Sequence, residues 1–215
     1  MGRIALLLLA FLGVTACSTS EVLVAHSVPL TRATAEAPEG ELLDVGITVF
    51  DSGVPEGEVD KDPLGRVIAW NLVKLWTLVP GGPDEPGTLW CGTLPGGLFR
   101  SRDQGATWEL MRGLWDHPLR KQWAGGGYDV PGIHSVCVDP RNARHITIGV
   151  SCGGVWVTND GGVTWECRGE GIWSAYTPPD QKENPNVQDV HRVVQCPSNP
   201  DALWAQHHNG IFRTT

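Results

Sequence analysis

Charged residues and two of the large aromatic residue types are scarce in this sequence of 215 residues. Asp, Glu, Lys and Arg together make up 19% of it, and there are only 2 Tyr and 4 Phe. Because 41% of the residues are hydrophobic, the low charge predicts a folded chain rather than a disordered one. The formal net charge of −8 offers no attraction to a phosphate backbone, so we expect no nucleic-acid partner.

Glycine, proline and tryptophan are frequent instead, with 27, 16 and 10 residues. Gly and Pro interrupt regular structure, so their number predicts many short elements and disfavours a helical bundle. Every Trp lies at position 70 or beyond, whereas residues 18–62 hold ten acidic residues against two basic ones. This contrast divides the chain near residue 63.

No apolar run in the sequence reaches the roughly 20 residues that a membrane-spanning helix needs. The run at 4–14 is shorter and suits the core of a signal peptide. It ends in Val14-Thr15-Ala16-Cys17, which resembles the lipobox of bacterial lipoproteins. The resemblance implies that Cys17 is lipidated and anchors the protein in the cell envelope, with Ser18 favouring the outer membrane. Cleavage after Ala16 without lipidation, or a buried helix, are the alternatives.

The acidic segment 18–62 contains one candidate strand, at 42–50, followed by a Pro/Gly/Glu-rich loop. A single strand cannot bury its own apolar face. We therefore expect 18–62 to be a linker or an unrelated lipoprotein head, after the signal peptide at 1–17 and before a second region at 63–215.

An internal repeat organises the second region. Residues 96–108 match residues 153–165 at an offset of 57, and a third copy begins at Asn209. A Pro/Asp-rich turn stands upstream of each copy, at 83–87, 139–142 and 197–201. Each unit thus predicts four short antiparallel strands, which repeated radially form a propeller. The predicted fold is all-β, a partial β-propeller of about two and a half four-stranded blades.

The repeated element Ser/Thr-x-Asp-x-Gly-x-Thr-Trp resembles the Asp-box, or BNR repeat, of sialidases, sortilin-like propellers and exported glycosyl hydrolase-like bacterial proteins. We expect its Asp to accept N–H groups of its own turn, its Gly to supply positive φ, and its Trp to pack between blades. The resemblance implies a position on the outer rim, away from an axial site. The box residues are Ser101, Asp103, Gly105, Thr107 and Trp108, and then Thr158, Asp160, Gly162, Thr164 and Trp165.

A closed propeller typically has about 4–8 blades, more than this sequence encodes. We expect a truncated reading frame or a chimera of a lipoprotein head with a propeller fragment. The Phe/Tyr-Arg-Ile-Pro motif of sialidases is absent, so no catalytic residue is assigned.

Candidate ligand-binding residues lie in the long segments between the repeats, where loops are often functional. They are Tyr128, Asp129, His134, His191, His207 and His208. The alternative is that these segments only reverse the chain direction between strands and that the His side chains form hydrogen bonds with backbone groups. No cofactor is predicted. A metal site at His207 and His208 is disfavoured because neighbouring strand residues point to opposite faces.

Five cysteines follow Cys17, an odd number without a C-x-x-C spacing, which disfavours zinc. Export permits a Cys152–Cys167 disulfide across one hairpin, but buried strand thiols are the favoured interpretation. The five are Cys91, Cys137, Cys152, Cys167 and Cys196.

The sequence therefore predicts an exported, lipid-anchored propeller module that binds a glycan or a protein without catalysis. The alternatives are a truncated sialidase-like glycosidase and an assembly or scaffold factor for a membrane complex.

Overall fold

The computed structural model describes residues 59–61, 67–69, 72–125 and 128–214. The predicted signal peptide, Cys17 and the candidate strand at 42–50 lie outside these residues. Among the described residues, no helix is both long enough and apolar enough to span a bilayer.

The part of the chain that the structure describes forms thirteen strands in four antiparallel sheets, and within each sheet the strands follow one another in chain order. A hairpin of β1 (Val59–Lys61) and β2 (Val67–Ala69) comes first. The first blade contains β3 (Lys74–Pro80), β4 (Leu89–Leu94), β5 (Leu98–Ser101) and β6 (Glu109–Leu110). The second contains β7 (Gly132–Asp139), β8 (Asn142–Ser151), β9 (Gly154–Thr158) and β10 (Glu166–Cys167). The third contains β11 (Val190–Cys196), β12 (Asn199–His207) and β13 (Gly210–Arg213).

Two sheets of four strands and one of three confirm the predicted partial propeller of about two and a half blades. Within the described residues, helical structure is confined to the segments between blades. A one-turn helix α1 (Arg112–Trp115) and a 3-10 turn (Pro118–Gln122) precede the second blade. Another 3-10 turn (Pro185–Val187) precedes the third.

The first strands of the blades are neighbours. Strand β7 contacts β3 and β4, and β11 contacts β7 and β8. Tryptophan fills the space between the first two blades: Trp90 and Trp156 have no exposed surface, and the Trp156 ring meets Trp123 edge-on at 5.6 Å. Burial of rings this large gives the first blade an apolar contact with the second, which no single sheet could provide.

Strand pairing defines two opposite rims. At one rim, here called the upper rim, the first strand of each blade begins and the second strand ends. The pairs that mark it are Lys74 with Leu94, Gly132 with Ser151, and Val190 with His207. At the other, the lower rim, the same strands are joined by the predicted Pro/Asp turns. The β5–β6 and β9–β10 connections also lie at the lower rim, because Ser101 pairs with Leu89 and Thr158 pairs with Ile146 near those turns.

The β5–β6 connection is held by one carboxylate. Asp103 accepts hydrogen bonds from the Thr107 backbone N–H at 2.8 Å and the Thr107 hydroxyl at 2.6 Å. Ser101 Oγ donates to the same carboxylate and accepts from the N–H of Gly105. The Trp108 ring N–H then donates to the carbonyl of Gly105 at 3.0 Å. The side-chain hydrogen bonds of this turn therefore all join residues no more than four apart.

The β9–β10 connection repeats this network residue by residue. Asp160 accepts from the backbone N–H of Val163 and from both the N–H and the hydroxyl of Thr164. Gly162 has a φ of 92°, and a Cβ there would lie 2.6 Å from the terminal methyl of Met111. Only glycine meets both constraints without strain. These bonds, led by that of the Thr164 hydroxyl, lower the pKa of Asp160 to about 2.

All five described cysteines are free thiols. Burial raises the pKa of Cys91 and Cys152 to about 12, and that of Cys137 and Cys167 to about 11. Four of the five lie in strands, as favoured from the sequence, but only Cys91 is fully buried. Cys152 lies in the turn between β8 and β9, and no disulfide joins it to Cys167.

We expect Asp160→Ala to lower the free energy of unfolding by about 1–2 kcal/mol at neutral pH, because four donors of its turn lose a charged acceptor. The folded pKa lies below the ordinary value of 3.8, so this stabilisation is present above about pH 4 and lost as the pH falls towards 2. The difference between the wild type and Asp160→Ala should therefore shrink between pH 5 and pH 2 in urea unfolding experiments.

Asp180→Ala is the matched control, since Asp180 is exposed and accepts a hydrogen bond only from the neighbouring Gln181 among the side-chain bonds of the described residues. Its unfolding midpoint should equal that of the wild type. Equal midpoints for Asp160→Ala and Asp180→Ala would contradict a stabilising role for the Asp160 carboxylate.

Candidate functional site

Each first strand carries one β-bulge near its start at the upper rim. In β3 the pairing passes from Leu75 to Thr77, in β7 from Ile133 to Ser135, and in β11 from Val190 to Arg192. A bulge leaves one residue unpaired, bends the strand and re-aims a side chain, and bulges are frequent next to functional sites. The three bulged residues are Trp76, His134 and His191.

The bulged side chains connect successive blades. The Trp76 ring meets the His134 ring edge-on at 5.7 Å. His134 in turn has its Nε2 2.7 Å from the carbonyl oxygen of Val190 in the third blade, and its Nδ1 2.8 Å from the hydroxyl of Ser135. Burial lowers the pKa of His134 to about 4, so its ring is neutral at pH 7. His134 was a candidate ligand residue, but the structure gives both of its ring nitrogens protein partners and leaves 8% of the residue exposed.

The first group on the upper rim is built around Lys74. Its ammonium donates to the Tyr128 hydroxyl at 2.8 Å and lies 4.0 Å from the centre of the Trp76 ring. Trp76 and Tyr128 also meet edge-on at 5.6 Å. Tyr128 is 44% exposed and Asp129 beside it is exposed, so the structure leaves both candidate residues accessible.

The second group brings two imidazoles onto one carboxylate. Asp189 Oδ2 lies 3.1 Å from His208 Nε2 and 3.5 Å from His191 Nε2, and the two Nε2 atoms are 3.1 Å apart. The other oxygen of Asp189 accepts from the Ser151 hydroxyl and the Cys152 N–H, both at 3.3 Å. Burial alone would raise the pKa of Asp189, but His191, His208 and the Cys152 hydrogen bond hold it below its usual value. The carboxylate is therefore charged at neutral pH.

His207 and His208 belong to different groups, although both rings meet Tyr176. His207 is buried, accepts from the Asn209 N–H, and has its Nε2 3.3 Å from the Tyr176 hydroxyl. His208 lies in the following turn and belongs to the Asp189 group. Strand alternation concerns only the adjacent pair His207 and His208. It gives no sign of the contact that His208 makes across the hairpin with His191.

Several residues of the upper rim escaped the sequence analysis. Trp76 stands 58 residues before His134, one more than the repeat offset of 57, so extending the repeat register upstream aligns His134 with Thr77 instead. Asp189 carries no signal in the sequence, because its partners depend on the bulge in β11 and on the β12–β13 turn that holds His208. Tyr176 and Trp173, which are 54% and 39% exposed, lie in the segment that leads to Asp189.

The upper rim thus offers two kinds of chemistry. Exposed rings at Tyr128, Trp173 and Tyr176 can stack on flat apolar surfaces, and the imidazole–carboxylate group can accept or donate hydrogen bonds or hold a cation. At the lower rim, in contrast, the Asp103 and Asp160 carboxylates bind groups of their own turns.

No family model matches the chain. Among curated proteins, the chain is 35% identical over 85 residues to the oligoxyloglucan-reducing end-specific xyloglucanase of Emericella nidulans. The match spans 39% of this chain and 9% of that enzyme. The chain therefore corresponds to a small part of the curated relatives it matches.

Among solved structures, an ancestral GH74 enzyme overlaps 66% of this chain and 17% of its own, with 17% identity and a TM-score of 0.46. YCF48 from Cyanidioschyzon merolae overlaps 69% of this chain and 39% of its own, with 12% identity and a TM-score of 0.40. The assignment of a partial propeller rests on the sheets and the register of this chain itself.

Proposed function

We propose that this chain is an exported, lipid-anchored propeller module that binds a glycan on its upper rim without hydrolysing it. The observation that carries the proposal is the bulge repeated at one position in three successive blades. Each bulge interrupts strand pairing, and those in β3 and β11 place Trp76 and His191 beside accessible groups of the upper rim.

Exposed aromatic rings on that rim support a carbohydrate ligand. A pyranose ring has an apolar face that stacks on aromatic side chains, while its hydroxyl groups need polar neighbours. Tyr128 offers its ring beside the Lys74 ammonium, and Tyr176 offers its ring beside His207 and His208. An aromatic ring for stacking and polar neighbours for hydrogen bonds are thus both present around Tyr128 and around Tyr176.

The match to a xyloglucanase supports a β-glucan oligosaccharide as the class of ligand. We also propose that the two repeated elements are Asp-boxes that act as structural turns of the lower rim. Sialidase-like propellers are then distant relatives of this chain.

A glycosidase is the second candidate, favoured by the same match. Glycoside hydrolysis generally needs a pair of carboxyl groups on either side of the scissile bond. On the upper rim Asp189 is engaged by two imidazoles and two further donors, which leaves it poorly suited to act as a general acid. We therefore favour binding without turnover.

We expect Tyr128→Ala and Tyr176→Ala each to weaken the binding of xyloglucan oligosaccharides about tenfold in titration calorimetry. The loss of one aromatic stacking contact costs on the order of 1–1.5 kcal/mol, and about 1.4 kcal/mol corresponds to a factor of ten. Because both side chains are exposed, the variants should keep the unfolding midpoint of the wild type.

Val163→Ala is the control, since Val163 is 68% exposed and lies in the β9–β10 connection of the lower rim. It should bind like the wild type. Unchanged affinity in both tyrosine variants would contradict a glycan site on the upper rim, and release of reducing sugar by the wild type would favour the hydrolase.

The membrane anchor is a separate part of the proposal. A lipid on Cys17 would hold the module at the envelope surface, because each buried methylene group contributes about 0.8 kcal/mol and several acyl chains make the attachment stable. The acidic residues 18–62 would then separate the propeller blades from the membrane.

Replacing Cys17 with Ser should therefore release the protein from the membrane fraction, as measured by cell fractionation and immunoblotting. Cys196→Ser removes a different thiol and should leave the protein membrane-bound. If Cys17→Ser stays with the membrane as well, the protein is not held by a lipid on Cys17.

A further inference from the structure

We propose that Asp189, His191 and His208 form a binding site for a divalent transition-metal ion, and that the ion is Zn²⁺. This site is independent of the glycan proposal and is tested without any glycan.

The spacing of the three ligand atoms suits one small ion. Zinc binds imidazole nitrogen and carboxylate oxygen at about 2.0–2.2 Å, so two ligand atoms on the same tetrahedral ion lie about 3.3 Å apart. The three atoms His191 Nε2, His208 Nε2 and Asp189 Oδ2 are separated by 3.1, 3.1 and 3.5 Å. All three can therefore contact a single ion with little movement.

Hydrogen bonds alone cannot account for the three short contacts among His191 Nε2, His208 Nε2 and Asp189 Oδ2. A neutral imidazole carries one ring proton, and its other nitrogen presents a lone pair. Two imidazoles whose Nε2 atoms approach each other and the same oxygen cannot give each of the three contacts its own proton. An ion between them would instead accept a lone pair from each of the three atoms.

The carboxylate is held in place for this role. Asp189 is 7% exposed, and its Oδ1 accepts from the Ser151 hydroxyl and the Cys152 N–H, which directs Oδ2 towards the imidazoles. Partners that orient a ligating group commonly change metal affinity by 10–100-fold. The other two ligands are His191, at the bulge in β11, and His208, directly after β12. Both lie at the open end of the hairpin that β11 and β12 form.

The ligand set selects the class of ion. Two imidazoles with one carboxylate favour zinc and its first-row neighbours over Mg²⁺ and Ca²⁺, which prefer oxygen ligands. The side chains of His191 and His208 are 34% and 53% exposed, so an ion there keeps a coordination position facing solvent. That position could take water or an oxygen of a bound ligand.

The test is titration of the full chain, purified without a polyhistidine tag, with Zn²⁺ in a calorimeter. We expect one ion per chain for the wild type and at least tenfold weaker binding for both His208→Ala and Asp189→Asn. His208 is more than half exposed, so His208→Ala should fold normally even if the buried Asp189→Asn does not. Circular dichroism checks the fold of each variant.

His145→Ala is the matched control, because His145 also stands beside a carboxylate, that of Asp139, but at the lower rim. It should bind Zn²⁺ like the wild type. Titration with Co²⁺ gives a second readout, with visible absorption bands expected for the wild type and lost in His208→Ala. Absence of saturable Zn²⁺ binding, or equal affinity in the wild type and His208→Ala, would overturn the proposal.

Discussion

The β-bulge near the start of each first strand is the constraint on which the upper rim depends. A regular strand alternates its side chains between two faces, so it directs few of them along the strand towards its end. The bulges at Trp76, His134 and His191 break this alternation where the blades meet. The side chains of Trp76 and His134 turn towards the next blade, and the first strands thereby share contacts that the apolar core between the sheets does not provide.

The three bulged residues have different surroundings, and their roles differ accordingly. His134 is closed in by the third blade and stays neutral, so it joins two blades through its hydrogen bonds. Trp76 supports the exposed Tyr128 and the Lys74 ammonium. His191, at the last of the three blades, meets a buried carboxylate and a second imidazole instead. The same kind of β-bulge thus places an aromatic surface on the first blade and the imidazole–carboxylate group on the third.

The lower rim follows from local sequence, and it could be predicted for that reason. The Asp103 and Asp160 turns close their hydrogen bonds within a few residues, so the repeated residue types were enough to derive the network. The strands and blade count followed from the offset of 57 and the turn residues between them. The upper rim could not be derived in this way. The burial of His134 depends on a contact 56 residues away, and the Asp189 group depends on register across a hairpin.

We propose that the upper rim binds ligand while the lower rim only stabilises the blades. Hydrogen–deuterium exchange of the full chain, with and without xyloglucan oligosaccharides, tests this division most directly. We expect slower exchange on ligand addition in residues 128–135, 173–191 and 206–211, and no change in residues 102–108 and 159–165. Protection of the two lower-rim turns, with the upper-rim segments unchanged, would contradict it.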